Sequence, residues 1–486
     1  MAESFIFSIA ESLITKLASR AYQEASQVVG VYDDLQDLKT SLSYVKAVLL
    51  DAEQKQEQNH ELREWLKQIK LIFYDAENLL DEVDCESLRK QLRITHKDKV
   101  GGFFSSSNQL LFRYKIAQQI KEIRKRLDRV AADRDKFGLQ TIAVDRRVVH
   151  RRELTYSHVV ESDVIGRAHD KEMILNLSSV RTILFPFGIE KAGNEDLLTT
   201  WVSTCIYLRY LDLRDSTFET LPRSISKLKH LRFLSLRNNR RIRKLPASIC
   251  TLQNLEELHL RGCVELETLP KKLRNLINLQ RISITSKQSV LPEGDIAKLG
   301  SLKYLDIYAC DNLESAFVGV KLSALRFLRI MRCKNLKSLP LDTNHFPQLE
   351  QFTVDECGNF ELSDGHEDMN SVLRLTTIYF SMVVNFPHSL QGYANTLQTL
   401  VFAKCYELEA LPEWLLNMTS LKYLHIWSCP KLVSLPSGIH RLTALDVLRI
   451  EDCPELYTNY QPHAGEYWHQ ISHIKHVDIR KTWRSR

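Results

Sequence analysis

What this 486-residue chain lacks narrows its chemistry before any pattern is read. No apolar run reaches the ~18 residues that a membrane-spanning helix needs. The opening Met1-Ala-Glu-Ser-Phe5 places an acid before any base, unlike a secretory signal. The expectation is a soluble, cytoplasmic protein without an integral membrane segment. No glycine is followed by lysine anywhere, so the loop G-x-x-x-x-G-K-[ST], whose backbone N–H groups would surround a nucleotide phosphate, is not written. C-x-x-C is missing, as are G-x-S-x-G and H-E-x-x-H, which removes the commonest redox, zinc, serine-hydrolase and zincin signatures. Charge of one sign is scarce too. A formal net charge of +6 on this length is not a nucleic-acid footprint.

His469 and His473 stand four apart, with His463 and His476 nearby, a spacing that could hold a metal on a helix. No Cys or carboxylate is positioned with them to complete a metal site, and surface histidines are the expectation. No acid/base pair of carboxylates stands out. The expectation is no catalytic residue, no metal and no cofactor: the chain is not an enzyme.

What is present is a repeat. Leu208-Arg-Tyr-Leu211-Asp-Leu213, followed by a loop and Leu221-Pro222, recurs from Leu231, Leu255, Leu279, Leu302, Leu325, Leu349, Leu375, Leu397, Leu421, Leu445 and, degraded, from Ile474. The steps are 22 to 26 residues, with one longer step before the last copy. Within L-x-x-L-x-L the last two leucines alternate with polar residues, the period of a half-buried strand. One such strand cannot bury its apolar edge alone; stacked copies can. This pattern resembles the leucine-rich repeat, in the irregular form whose units end in Leu-Pro. Seven cysteines (263, 310, 333, 357, 405, 429 and 453) fall eight residues after the first leucine of their copy, where the second copy has Asn239. The resemblance implies a buried ladder whose side chains bond loop backbone. Structural thiols imply in turn a reducing compartment.

Residues 1–137 have a helical rhythm. Phe5, Ile9, Leu13 and Leu17 form one seam; Leu35, Leu38, Leu42, Val45 and Leu49 a second. Leu62, Trp65, Ile69, Ile72, Ala76, Leu79 and Val83 form a third; Ile116, Ile120, Ile123, Leu127 and Val130 a fourth. Breaks are expected near Gly30, near Asn59 and at Gly101–Asn108. The readings are a long dimeric coiled coil or a four-helix bundle, and short seams with short breaks favour the bundle. Residues 113–152 are basic, either an arm for acidic lipid or nucleic acid or, preferred here, the exposed face of the last helix running into a linker.

On the third seam, Tyr74-Asp-Ala-Glu77-Asn78-Leu79-Leu80-Asp81-Glu-Val83 resembles the acidic Glu-Asp-Val-Ile-Asp motif of the N-terminal coiled-coil domain of plant immune receptors, with Asn78 replacing an acid. Val164-Ile-Gly166-Arg167-Ala-His-Asp170-Lys171-Glu172-Met-Ile174 resembles the opening line of their nucleotide-binding domain. By Val180 the text already resembles the start of the repeats. The whole is similar to coiled-coil, nucleotide-binding, leucine-rich-repeat disease-resistance proteins with the nucleotide-binding domain missing.

The expected fold class is a helical bundle followed by an α/β solenoid with a parallel concave sheet. The expected domains are 1–137 bundle, 138–180 linker with a nucleotide-domain remnant, and 181–486 repeats. The resemblance implies recognition of a pathogen effector or a guarded host protein, with defence signalling. ADP or ATP is expected only for full-length relatives. The bundle could engage intact receptors of the family, and the plasma-membrane periphery is an alternative location. A second function class stays open: a general scaffold, or a decoy or regulator of intact receptors without signalling of its own.

Two sets of site residues follow. Reading down the last concave column gives Arg214, Arg237 and Arg261. The resemblance implies that Glu77 and Asp81 dock on them within the same chain; the alternative is a solvated basic stripe. Further along, Tyr304, Tyr308, Phe327, Arg329, Tyr379, Tyr423, Trp427 and Arg449 form an aromatic and basic face suited to a protein partner. The alternative is that the rings pack on one another to cover the sheet.

Overall fold

The computed structural model describes residues 5–56, 59–95, 106–141, 180–184, 195–341, 344–357, 361–363, 375–382 and 393–481. The Val164–Ile174 motif, most of the expected linker and residues 101–105 lie outside these. Two compact units divide the chain, Met1–Val180 and Arg181–Arg486.

The first unit is helical: α1 (Phe5–Ala18), α2 (Arg20–Val29), α3 (Tyr32–Lys55), α4 (His60–Thr95) and α5 (Ser106–Ala132). Four helices are expected and five are found, because the first, expected to run to near Gly30, is broken at Ser19; its apolar seam ends with α1. Ser19 is extended (φ −67°, ψ 140°); its hydroxyl donates to the Lys16 carbonyl at 2.8 Å and accepts from the Tyr22 N–H. A serine that bonds nearby backbone competes with the helix and caps the next one. At the far end of α2, Gly30 takes a left-handed φ of 87°, and its N–H closes on the Ser26 carbonyl at 2.8 Å.

α1 packs on α3 and α4, α2 on α4, and α5 on α3 and α4. Leu13, Leu17, Leu38, Leu42, Ile69, Phe73, Ile116 and Leu127 meet in one buried core. Trp65 is fixed within it: its indole N–H donates to the Val130 carbonyl at 3.1 Å, and its ring lies 5.8 Å from that of Phe137.

The second unit is a solenoid. Thirteen parallel strands form one sheet in strict chain order, from Thr182–Leu184 to His476–Arg480. All twelve repeats expected from the leucine spacing contribute a strand, and the segment after Val180 adds one before them. Register is uniform: Leu211 pairs with Leu234, then Leu258, Ile282, Leu305, Leu328, Phe352, Ile378, Leu400, Leu424 and Leu448. Every one of these side chains is buried. The alternating residues face the other side and form the inner surface.

After most strands the chain turns through a left-handed residue: Asp215, Asn238, Gly262, Ala309, Arg332 and Glu356, and again Met382, Lys404, Ser428 and Asp452. At Gly262 the conformation (φ 82°) is crowded as well, since a Cβ there would lie 2.3 Å from Asn238 Oδ1. The next residue is the ladder. Asn239, fully buried, donates from Nδ2 to the carbonyls of Leu213 at 2.7 Å and Leu236 at 2.9 Å. In the next coil the Cys263 thiol donates to the Leu236 carbonyl at 3.1 Å, and Cys357 and Cys453 repeat the contact with Ile330 and Ile426. All ten cysteines are buried free thiols, and burial pushes Cys263 up to about 12. Cys310 and Cys453 are shifted the other way by the neighbouring thiols Cys333 and Cys429, but both are buried and bonded to loop carbonyls, as structural groups are.

The Leu-Pro signature also has a physical role. Pro222, Pro246 and Pro412 sit at φ near −65° and open the 3-10 turns Arg223–Lys227, Ala247–Thr251 and Glu413–Asn417 on the outer side. The longer last step holds two short helices, Pro454–Asn459 and Trp468–Ile471, which carry the fully buried Tyr460 and Ile471. The histidines of this region serve locally: the His463 ring lies 5.5 Å from Trp468, and His476 opens the last strand. Among the described residues no group of three or more His, Cys, Asp or Glu could hold a metal ion, and no helix is long and apolar enough to cross a membrane.

Candidate functional site

The inner surface is set by register. Each strand contributes three outward positions, and neighbouring strands stack them into columns ~4.8 Å apart. The third column begins with Arg214, Arg237 and Arg261, as the sequence indicates, but the three are not equivalent. The Arg214 Nε donates to Asp212 at 2.7 Å. Burial raises the Asp212 pKa, but the Arg214 contact outweighs it and leaves the carboxyl below its usual range. Arg261 has only a loose contact with Asp306, at 3.9 Å, and its guanidinium lies over the Tyr308 ring at 4.0 Å. Arg237 makes no ion pair among the described residues.

The aromatic residues are partly spent on one another. Tyr304 and Phe327 stack at 4.2 Å and 5°, and the Arg281 guanidinium covers Tyr304 at 4.1 Å. Tyr308 lies under two guanidiniums and accepts from Arg332 at 3.0 Å. Tyr379 is half-buried; burial, then Asp355, Cys405 and Glu356, push its hydroxyl up to about 12. Tyr423 meets His425 edge-on at 6.2 Å, and the Lys404 ammonium lies 5.6 Å from the Trp427 ring. Arg449 stands between Asp478 at 3.5 Å and Glu451 at 3.7 Å. Arg329 is exposed. The surface therefore joins both readings of these rings: they pack along the sheet and still present edges and cations to solvent.

A cleft of about 380 Å³ opens on the basic part of this surface. Arg237, Arg261, Arg281 and Arg329 surround it, with His259 and Asp306 on its floor. Burial raises the Asp306 pKa, against the pull of Arg261, Arg329 and Arg237. His259 is shifted the other way by burial, and its Nε2 lies 2.8 Å from Glu257. Asp306 Oδ1 and Arg281 Nε are buried without a hydrogen-bond partner. Such orphans cost about 1–3 kcal/mol each, more when charged, so polar groups of both signs are left for something else to satisfy. Arg281, His259 and Asp306 are absent from the sequence-derived set, which followed the third column for the basic run and took only Arg329 and Arg449 as charges beside the aromatic residues. The first and second columns, read the same way, contain them.

The acidic motif of α4 is engaged within the bundle. Asp81 is buried and accepts from Lys16 at 3.1 Å, and Asp84 meets the same ammonium at 2.7 Å. Asp75 pairs with Arg126 at 2.6 Å and Glu82 with Lys115 at 3.2 Å. Glu77 is half-buried. The same pairs, with Arg124 on Asp37 at 2.7 Å, account for part of the basic run on α5.

Comparison with known proteins agrees with both units. The Rx N-terminal domain family matches residues 9–115, and the leucine-rich repeat region family matches residues 187–383. The disease resistance protein RGA2 of Solanum bulbocastanum is 29% identical over 177 residues, 36% of this chain and 17% of that protein. The putative disease resistance RPP13-like protein 1 of Arabidopsis thaliana is 26% identical over 185 residues, again 36% and 17%. The chain thus matches less than a fifth of the length of these curated relatives. Among solved structures, a leucine-rich repeat protein of Leptospira interrogans aligns at 21% identity over 58% of this chain and 93% of its own, with a TM-score of 0.29. The chain therefore carries an Rx N-terminal domain followed by a leucine-rich repeat region, and the curated relatives it resembles are named as disease resistance proteins.

Proposed function

We propose that this chain is a non-enzymatic recognition protein of plant defence that grips a protein partner with its inner sheet. The observation that carries this reading is the pairing of an Rx N-terminal domain with a repeat surface rich in arginine and aromatic side chains. Those are the residue types that anchor protein interfaces. The partner is a pathogen effector or a host protein that an effector alters. ADP and ATP play no part, because the chain writes no Gly-Lys phosphate loop and so no switch of that kind. It acts in the cytoplasm, where the buried thiols stay reduced.

The bundle is the arm toward intact receptors, and Glu77 and Asp81 are its contacts for the arginine column at Arg214, Arg237 and Arg261, with Asp81 and Arg214 each also bonded inside its own unit. Expression in leaf, alone and beside an intact relative, tests the reading. Provoked or suppressed cell death supports it. Silence in both settings favours a scaffold without immune signalling. Recovery of adenine nucleotide bound to the purified chain would overturn the account of a receptor without a switch.

A further inference from the structure

Four guanidinium groups surround the inner cleft, and two of them, Arg237 and Arg329, have no carboxylate partner among the described residues. The other two are held only loosely, Arg261 by Asp306 and Arg281 by Glu257, each at 3.9 Å. Four cations against these two carboxylates leave +2 around a single depression. His259 is driven toward its neutral form by burial, so it adds a hydrogen-bonding edge and little charge.

A second observation concerns shape. A cleft of about 380 Å³ lies at the small end of ligand sites, which run ~300–1,000 Å³. A helix ~11 Å across would fill it in roughly 4 Å of its length, less than one turn. The depression suits a compact group better than a helical segment. A third concerns direction along the arc. Beyond the cleft the inner surface carries Asp355, Glu451 and Asp478, the last two closed on Arg449, so no open run of cations continues along the sheet for a polyanion. A single compact dianion needs only the cleft. Finally, the two orphaned groups are of opposite kind. Arg281 Nε needs an acceptor, and Asp306 Oδ1 needs a donor.

We infer that this cleft binds a phosphorylated polyol. The phosphate monoester, close to −2 at pH 7, is held by Arg237, Arg329 and Arg281, while a hydroxyl of the same molecule donates to Asp306. Bare inorganic phosphate satisfies the cations but supplies no hydroxyl on carbon, and a neutral sugar satisfies only the carboxylate. The ligand shares the recognition face of the proposed function but not its partner. Its binding is therefore read on purified chain, independent of any cell-death outcome.

Titration calorimetry of the full chain at pH 7 tests this with glucose 6-phosphate, glucose and inorganic phosphate as probes. Glucose 6-phosphate binds, more tightly than phosphate, and glucose does not. Arg329→Gln and Arg237→Gln each weaken glucose 6-phosphate by about tenfold or more, the worth of one charged hydrogen bond. Arg441→Gln, on an exposed 3-10 turn away from the inner face, leaves it unchanged. Asp306→Asn narrows the preference for glucose 6-phosphate over phosphate, a ratio that general loss of folding would not shift while phosphate still binds. Thermal unfolding of each variant confirms that the chain is folded.

Two further arms identify the source of the ligand chemistry. Vesicles carrying a phosphatidylinositol monophosphate, compared with phosphatidylinositol vesicles, report a lipid headgroup; competition by glucose 6-phosphate supports the same site. A phosphoserine peptide that binds where glucose 6-phosphate does not overturns the polyol assignment. Absence of glucose 6-phosphate binding to folded chain, or binding indifferent to Arg329→Gln, overturns it as well.

Discussion

The bundle and the inner sheet use the same charged residues differently. In the bundle, acids and bases from different helices meet at 2.6–3.2 Å: Asp75 with Arg126, Asp81 with Lys16, Glu82 with Lys115. Around the cleft of the inner sheet, by contrast, the four arginines stand 3.9 Å from a carboxylate or have none among the described residues, whereas Arg214, outside the cleft, is closed on its neighbour Asp212. A charge closed on a neighbour holds a structure together and is unavailable to a ligand. One left open costs stability through repulsion and orphaned hydrogen bonds. The difference separates residues that hold the fold from residues kept for binding.

Substitutions can break or sharpen that contrast. The largest effect is expected inside the bundle. Trp65→Ala removes a buried ring and the bond to the Val130 carbonyl, and should cost about 3–5 kcal/mol in denaturant unfolding of the helical signal. In the repeats, Asn239→Ala removes both Nδ2 bonds, although the Leu213 carbonyl keeps Ser216 and the Leu236 carbonyl keeps Cys263, and should cost about 0.5–1.5 kcal/mol for each bond lost. Asn239→Cys should recover much of that, because the neighbouring coils already place a thiol at this slot. If Cys is no better than Ala, the ladder is only packing.

A smaller effect is expected at Glu53. Its Oε1 caps the Ile6 N–H at 2.6 Å and the Phe7 N–H at 3.3 Å, while Oε2 is buried without a partner. Burial raises its pKa, and the two backbone bonds only partly offset this. The folded state therefore holds the proton more tightly than the unfolded one. The stability this confers is complete below the unfolded pKa and is lost as pH rises through the raised folded one. Glu53→Gln, which keeps an acceptor for the caps, should flatten the pH dependence of thermal unfolding, with the two proteins converging in acid.

The smallest effects make the direct comparison. Arg126→Gln in the bundle should cost about 0.2–1 kcal/mol, as exposed ion pairs do, whereas Arg237→Gln on the inner sheet should stay within about 0.5 kcal/mol of wild type. A large loss at Arg237 would place it with the structural charges and remove the contrast.

The solenoid was legible because its signal is periodic. Leucines at a constant step dictate strands, order and inner face, and all twelve repeats read from them carry a strand. The ladder was legible for the same reason, through Asn239 and the cysteines that follow it. The break at Ser19 was not, since Phe5, Ile9, Leu13 and Leu17 keep their apolar rhythm up to a serine whose capping role depends on backbone geometry. The left-handed turns at Asp215, Arg332 and Glu356 were equally silent, because none is a glycine. The cleft depends on side chains from coils that are far apart in the chain. Arg237 and Arg329 are separated by 92 positions, and only the register brings them around Asp306.

That register has an evolutionary consequence. Ladder and leucine column are made on the far side of the sheet or at its turns, so the exposed residues facing inward carry little of the folding free energy. Arg329, exposed and without a carboxylate partner among the described residues, can be exchanged without moving the strand that bears it. A surface built this way can be rewritten letter by letter while the page stays intact, which suits a molecule whose targets change faster than its architecture.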